Sequence, residues 1–120
     1  MTLKNIRVVL VSPLYSGNVG SACRAMKNMG ITDLAIAAPS GPWNMDEARR
    51  MALHAADVFE RRKEFATVQD AVADCGLVVG TTARRGLYRG HSQPPRELAA
   101  RLLTASAKAR VAILFGPEDN

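Results

Sequence analysis

The sequence predicts an α/β fold: a parallel β-sheet with helices on both faces. Short apolar runs rich in β-branched residues alternate with segments whose apolar residues recur at helical spacing. Polar, glycine-containing loops directly follow several of the apolar runs. Strands that alternate with helices favour a parallel sheet, because each helix returns the chain so that the next strand runs in the same direction.

The first third of the chain contains two predicted strands around one predicted helix. The apolar run Ile6–Val11 is predicted as a buried strand that ends at a Ser-Pro pair. Val19–Met29 is predicted as a helix, because alanines and methionines recur there at helical spacing. Asn18 is expected to cap this helix, and Gly30 to end it. Leu34–Ala37 is predicted as a short second strand, closed by a turn rich in proline.

The middle of the chain is predicted as helix, strand and helix. Asp46–Ala55 has alanines on one face and arginines on the other, which is typical of an amphipathic helix. Ala56–Phe59 is predicted as a short strand because of its valine and phenylalanine. Val68–Ala73 is predicted as a helix entered through Thr67, with Asp70 in its first turn.

The last third repeats the alternation. Leu77–Val79 is predicted as a strand, followed by the polar loop Thr81–Pro95. Arg96–Ala105 is predicted as a helix with a pair of prolines at its start. Val111–Phe115 is predicted as the last strand, which runs directly into Gly116–Asn120. We find no internal repeat and no low-complexity tract.

Length and charge limit the classes of protein. A chain of 120 residues forms one domain, and we expect no second domain. Because 48% of the residues are hydrophobic and only 5% aromatic, the core is expected to be aliphatic. Sixteen basic against eleven acidic residues give a net charge of +5. This excess favours an anionic partner, for which nucleic acid is the leading candidate.

Cysteine and histidine usage gives no sign of a disulfide framework or a metal site. Cys23 and Cys75 are far apart in apolar contexts, so we expect reduced thiols in a cytoplasmic protein. His54 and His91 are isolated, and no metal is expected. The first strand begins too early for a signal peptide, and no apolar run approaches membrane-spanning length, so no membrane partner is expected.

The loop that leads into the first helix carries an amide, a glycine and a guanidinium, at Asn18, Gly20 and Arg24. Its glycine spacing does not meet the dinucleotide-binding pattern G-x-G-x-x-G, and no Gly-Lys-Ser/Thr follows as in a P-loop. The glycines allow close approach of another backbone or of a ligand. The structural alternative is that Asn18 only caps the helix and Arg24 lies on its solvated face.

Two later loops also follow predicted strands directly. Gly80–Gly86 contains two threonines and two arginines, and Gly116–Asp119 contains two acids. Because ligands bind at the carboxyl ends of parallel strands, all three loops are candidates for one crevice. The alternatives are that Thr81 and Thr82 bond their own backbone and that the acids cap a following helix.

In this order, the three loops resemble the SpoU/TrmH-type RNA 2′-O-ribose methyltransferases of the SPOUT superfamily, and most closely the TrmJ-like branch. The first family motif matches NVGSACRAMKNMG, with Asn18, Gly20 and Arg24. The second matches ILFGPEDN, with Glu118 as its acid, and the segment VVGTTAR is also similar. The resemblance extends over nearly the whole chain and implies the α/β-knot type of parallel sheet.

The chain departs from the family in one respect. The third family motif, which contributes a polar loop and the last helix of the trefoil knot, should follow the second motif, and the sequence stops at Asn120. We therefore expect a domain over residues 1–120 that is truncated at its C-terminus, with the knotted portion missing.

The resemblance implies S-adenosylmethionine as cofactor and RNA as substrate, with tRNA favoured over rRNA. Arg24 and Asn18 would be the catalytic residues, Arg24 through charge stabilisation, since an arginine is too weakly acidic to act as a neutral base. The implied cofactor-binding residues are Thr81, Thr82, Gly116, Pro117 and Glu118. Beside them, the basic run Arg84, Arg85 and Arg89 suits RNA phosphates, or else forms a solvated loop.

The family dimerises through its first helix and the knot, so a homodimer is also expected. The apolar face of the first helix, with Ala22, Ala25, Met26 and Met29, suits either core or interface. Two other functional interpretations stay open: a basic RNA-binding module without catalysis and a Rossmann-like nucleotide-binding protein. The missing dinucleotide pattern disfavours the latter.

Overall fold

In a computed structural model, which describes residues 3–13, 16–39, 44–80 and 95–116, the chain forms a parallel five-stranded sheet with strand order β3-β2-β1-β5-β4. The strands are β1 Ile6–Val11, β2 Asp33–Ala37, β3 Lys63–Phe65, β4 Leu77–Gly80 and β5 Val111–Phe115. The α-helices are α1 Ser16–Met29, α2 Met45–Ala52, α3 Ala56–Glu60, α4 Val68–Ala71 and α5 Pro95–Ser106. Short 3-10 turns, Leu3–Asn5 and Leu53–Ala55, precede β1 and join α2 to α3.

Helices cover both faces of the sheet, as predicted. On one face, α1, α2 and α3 pack on β1 and β2 around a core that includes Val19, Leu34 and Phe59. On the other face, α4 contributes Ala71 to a smaller core with Val9. Alternate residues of the strands point into the two cores, so the central strands are buried on both sides and read as continuous apolar runs.

Gly20 allows α1 and α2 to pack closely. A Cβ atom at Gly20 would lie 2.5 Å from the carbonyl oxygen of Ala48 and 2.6 Å from the Cβ of Met51. Gly20 therefore allows close approach of another backbone, that of α2, which is one of the two roles expected for the glycines, the other being close approach of a ligand. Gly17 has ordinary space, with the Cγ of Met51 at 3.8 Å.

Helix α1 ends at Met29, and Gly30 directly follows it as the predicted stop. Gly30 has φ of +79°, in the left-handed region that favours glycine. Its N–H donates to the carbonyl of Lys27, and the N–H of Ile31 donates to the carbonyl of Met26. These two bonds satisfy carbonyls at the end of the helix in the Schellman arrangement, and both Met26 and Ile31 are buried.

The start of α1 differs from the prediction. The helix begins at Ser16, so Asn18 lies within its first turn and is not the N-cap. The buried Ser16 hydroxyl accepts the N–H of Asn44, whose own side chain caps α2 by accepting the N–H of Glu47. This tertiary link fixes the starts of α1 and α2 together, and no local sequence pattern indicates it.

The predicted strand at Ala56–Phe59 is wrong, because this segment forms helix α3. Val58 and Phe59 are buried among the helices and continue the apolar face of Ala52 and Ala55. The actual strand is Lys63–Phe65, a partly exposed edge strand. Two of its three residues are charged, so its sequence lacks the apolar pattern that predicts a strand. The other predicted strands are confirmed, as is the cap of α4, where the Thr67 hydroxyl accepts the N–H of Asp70.

A buried arginine crosslinks the amino-terminal edge of the sheet. Arg7 is 2% exposed, and its guanidinium donates to Asp33 at 3.1 Å, to Asp74 at 2.7 Å and to the carbonyl of Ala71 at 2.8 Å. Arg110 also donates to Asp33, at 2.7 Å. A buried charge needs this degree of pairing to be tolerated. The cluster ties β1, β2 and the α4–β4 connection at the edge opposite the three predicted loops.

Candidate functional site at the carboxyl edge of the sheet

The sheet topology brings together the strands that precede the three predicted loops. β1 and β4 are the two neighbours of β5, and all three run parallel. Leu10 pairs with Phe115, and Gly80 pairs with Leu114, so the three strands end at nearly the same level. The prediction of a shared edge is thereby confirmed for the strand ends.

Gly116 leaves β5 in close contact with the end of β1. Its φ is +102°, and a Cβ atom at this position would lie 2.7 Å from the carbonyl oxygen of Val11. A side chain would therefore be strained by the backbone conformation and blocked by the neighbouring strand. Gly116 therefore fixes the point at which the chain leaves β5.

A cavity of about 450 Å³ lies beside these strand ends, between α1 and the sheet. Its lining is mainly apolar and comes from both central strands, the first helix and their connections: Val8, Leu10, Val11, Pro13, Asn18, Ser21, Ala22, Ala25, Met26, Met29, Ile31, Ile113, Phe115 and Gly116. The volume is within the range of small-molecule sites, which combine apolar walls with a few polar groups. The polar side chains here are the amide of Asn18 and the hydroxyl of Ser21.

The cavity extends along α1 rather than ending at the sheet edge. Asn18 and Met29 are eleven residues apart, which corresponds to roughly 16 Å of helix. Ala22 and Ala25 lie between them on the same face. Of the predicted apolar face, only Met26 is buried, while Ala25 and Met29 are exposed.

The backbone is strained at the ends of β1 and β2, on the carboxyl edge of the sheet. Ser12, directly after β1, has φ of +47°, and Ala38, directly after β2, has φ of +48°. The Ser12 hydroxyl donates to the Ala38 carbonyl at 2.7 Å, and its N–H donates to the carbonyl of Ala37. Non-glycine residues with a positive φ are uncommon in proteins and cluster at functional sites. No local sequence pattern indicates this role for Ser12, since the bond depends on strand pairing.

Arg24 lies away from the cavity. It follows Asn18 by six residues, or roughly 9 Å along the helix axis and about 120° around it. It also follows Gly20 by four residues, which places it on the side of α1 that faces α2. Within one chain, therefore, Asn18 lines the cavity and Arg24 does not, so the two predicted catalytic side chains are not brought together.

The guanidinium of Arg24 is poorly satisfied for a half-buried charge. Its Nη2 donates to the Ser21 hydroxyl at 3.4 Å, and its Nε is buried without a hydrogen-bond partner among the described residues. The alternative that Arg24 lies on a solvated helix face is therefore wrong. A buried donor left without a partner is uncommon and suits a group that binds a ligand.

Seven of the predicted site residues are outside the part of the chain that the structure describes. They are the cofactor candidates Thr81, Thr82, Pro117 and Glu118 and the basic residues Arg84, Arg85 and Arg89. Of the predicted cofactor residues, only Gly116 is described, and it lines the cavity.

Neither cysteine thiol is activated, because burial raises the pKa of both Cys23 and Cys75. Burial raises the pKa of the Cys23 thiol to about 11, so it is protonated at neutral pH. Both Cys23 and Cys75 are free. Over the described ranges, no three His, Cys, Asp or Glu side chains are grouped as metal ligands would be. None of the described helices is both long and apolar enough to cross a membrane.

Comparison with known proteins gives the relatives of the chain. A tRNA (cytidine-2′-O-)-methyltransferase TrmJ from Methanocaldococcus jannaschii is 38% identical over 118 residues, which are 96% of this chain and 50% of the relative. A tRNA (cytidine/uridine-2′-O-)-methyltransferase TrmJ from Cronobacter sakazakii is 40% identical over 116 residues, which are 97% of this chain and 47% of the relative. The chain spans about half the length of these relatives.

Solved structures agree with the sequence comparison. A probable methylase family protein from Haemophilus influenzae superposes with a TM-score of 0.86 at 36% identity, over 98% of this chain and 48% of the other. The model of the SpoU rRNA Methylase family matches residues 5–120. The predicted resemblance is thereby confirmed, and the chain belongs to the SpoU rRNA methylase family.

Proposed function

We propose that this chain is the catalytic domain of an S-adenosylmethionine-dependent RNA 2′-O-ribose methyltransferase, with tRNA as its substrate. Family membership supports methyl transfer to RNA. The relatives named as tRNA 2′-O-methyltransferases support the choice of tRNA and of the ribose 2′-oxygen.

The observation that carries the proposal is the pairing of β1 with β5, the first and last strands of the chain. This pairing places Asn18, from the first family motif, and Gly116, from the second, on the walls of one cavity. Residues almost a hundred positions apart in the sequence thus meet at the edge where parallel sheets bind ligands.

The described residues fit a nucleoside-sized cofactor at this edge. The apolar walls suit an adenine ring or a thioether chain, and the Asn18 amide offers a donor and an acceptor. We propose that Gly116 holds the cofactor together with Thr81, Thr82, Pro117 and Glu118. When bound, S-adenosylmethionine supplies an electrophilic methyl group.

The chain's own residues must then position the ribose and stabilise negative charge on its 2′-oxygen. A ribose hydroxyl is a poor nucleophile, so alignment and charge stabilisation supply much of the acceleration. We propose that Arg24 binds an RNA phosphate and stabilises the developing alkoxide, for which a planar guanidinium with several N–H donors is suited. Asn18 orients the ribose.

The active form is proposed to be a homodimer. Arg24 does not line the cavity of its own chain, so we propose that a second copy near α1 completes the site. The exposed Met29 and Ala25 offer apolar surface for such a contact.

The basic residues after β4 are proposed to bind RNA: Arg84, Arg85 and Arg89 would contact its phosphates. The two free thiols favour a cytoplasmic location.

The direct test uses the full-length protein, S-adenosylmethionine and unmodified tRNA transcripts. Calorimetry measures cofactor binding, with NAD as the control for a Rossmann-like protein, and mass spectrometry of digested tRNA detects 2′-O-methylated nucleosides. We expect binding of S-adenosylmethionine but not NAD, and one methyl group per modified site. RNA binding without methylation would instead favour a binding module, and binding of NAD alone would contradict the proposal.

A further inference from the structure

A row of polar side chains crosses α1 from the cavity to Arg24. Asn18, Ser21 and Arg24 follow one another at intervals of three residues, so neighbouring members are adjacent on the helix surface. Asn18 and Ser21 line the cavity, whereas Arg24 does not. Ser21 is therefore the residue that contacts the cavity on one side and the Arg24 guanidinium on the other.

Among the described residues, the Ser21 hydroxyl is the one hydrogen-bond partner of this guanidinium. Nη2 of Arg24 donates to the Ser21 oxygen at 3.4 Å, while the Nε of Arg24 stays buried without a partner in the described part of the chain. An arginine side chain loses considerable rotamer freedom when it is held in place. With so few anchors, the direction of the guanidinium depends strongly on the serine hydroxyl.

We infer that Ser21 is a positioning residue for Arg24. Its hydroxyl accepts one guanidinium N–H and so directs the remaining donors of Arg24 towards RNA. A hydroxyl has two acceptor positions and one donor, so Ser21 retains its own O–H for a group in the cavity. This inference rests on the proposed methyltransferase function for its catalytic consequence, but the contact itself is testable without activity.

The test compares Ser21→Ala and Ser21→Thr in the full-length protein, with Thr104→Ala as the control. Thr104 is an exposed helical hydroxyl that donates to the carbonyl of Ala100, so its removal makes the same chemical change away from the site. For Ser21→Ala we expect kcat for tRNA methylation to fall about tenfold, as for a lost hydrogen bond to a charged group. The KM for tRNA should rise as well, because Arg24 is proposed to bind an RNA phosphate, whereas the affinity for S-adenosylmethionine should change less than kcat. Ser21→Thr should recover most of kcat.

The second measurement is the NMR signal of the Arg24 Nε–H, assigned by its loss in Arg24→Lys. We expect Ser21→Ala to shift this signal and to speed its hydrogen exchange, with Ser21→Thr and Thr104→Ala resembling the wild type. An unchanged Arg24 signal, or a Ser21→Ala defect confined to cofactor affinity, would overturn the inference. If the wild-type protein methylates no RNA, the proposed function fails while the NMR comparison still decides the contact.

Discussion

Gly20 of α1 lies against Ala48 of α2 so closely that an added Cβ would be 2.5 Å from the Ala48 carbonyl oxygen. The family motif that contains Gly20 therefore has a packing role as well as a place near the site. The Ser16–Asn44 bond and the Gly20 contact together fix α1, and hence Asn18 and Arg24, relative to α2.

Gly20→Ala should destabilise the fold, because the atoms in its way are two backbone atoms and the Cβ of Met51, none of which can move without shifting α2. We expect a loss of about 1–3 kcal/mol, as for other overpacked contacts. Gly17→Ala is the matched control in the same helix, since its new methyl group has ordinary space. There the gain in helix propensity should stabilise by up to about 1 kcal/mol. Urea unfolding measures both, and equal effects would contradict the packing role.

Gly116→Ala should also destabilise, through the positive φ and the 2.7 Å approach to Val11. The expected cost is about 1–3 kcal/mol, the range for backbone strain. Gly80→Ala at the end of β4 is the control, because a Cβ there has no atom of the described residues within 4 Å. Thermal unfolding compares the stability of the two variants. An unchanged melting temperature in Gly116→Ala would show that the backbone after β5 can adopt another conformation, which would contradict the strain at Gly116.

Arg24→Ala should abolish most methyl transfer while leaving cofactor affinity nearly unchanged. Loss of a charge-stabilising donor typically lowers kcat by about 100-fold or more. Arg24→Lys should recover little activity, because an ammonium lacks the planar fork of a guanidinium. Glu118→Ala, by contrast, should weaken cofactor binding as well as turnover. Calorimetry and tRNA methylation measure the two effects, and full activity in Arg24→Ala would remove Arg24 from the mechanism.

Asp74→Asn should destabilise the protein near neutral pH and lose its effect in acid. The hydrogen bonds from Arg7 hold the pKa of Asp74 below its ordinary value of 3.8. The ion pair therefore contributes its full stability above the unfolded pKa and loses it as pH falls through the lower folded pKa. Urea midpoints of wild type and variant should converge below about pH 3.8.

Asp70→Asn controls for the loss of one negative charge in the same region. No side chain in the described ranges pairs with the Asp70 carboxylate. The urea midpoint of Asp70→Asn should therefore follow that of the wild type across this pH range. A constant difference between wild type and Asp74→Asn from pH 7 to pH 3 would contradict the role of the ion pair.

Cys23 should resist alkylation in the folded protein at pH 8. It is fully buried, and burial raises its pKa to about 11, so neither access nor thiolate is available. Partly buried Cys75 provides the internal comparison and should react first. Mass spectrometry after iodoacetamide treatment, with and without urea, gives the order, and rapid labelling of native Cys23 would contradict the buried placement.

The α/β class and most of the strands and helices follow from the sequence alone, because periodicity and capping are local properties. Ile6–Val11 and Val111–Phe115 were predicted with the bounds that the structure has. The same patterns placed three polar loops after strands and supported the family resemblance. Local patterns failed at Ala56–Phe59, where burial against neighbouring helices outweighs β propensity, and at Lys63–Phe65, whose strand depends on pairing with β2.

The assembly of the candidate site depends on long-range contacts between the strands and helices. Strand order puts β5 beside β1, which brings Gly116 to Val11 and creates the cavity. Helix geometry then separates Arg24 from Asn18, although both belong to one short motif. The contacts of Ser12 with Ala38, Ser16 with Asn44 and Arg7 with Asp74 join residues 26 to 67 positions apart. Such contacts depend on the packing of whole elements, so no local pattern in the sequence predicts them.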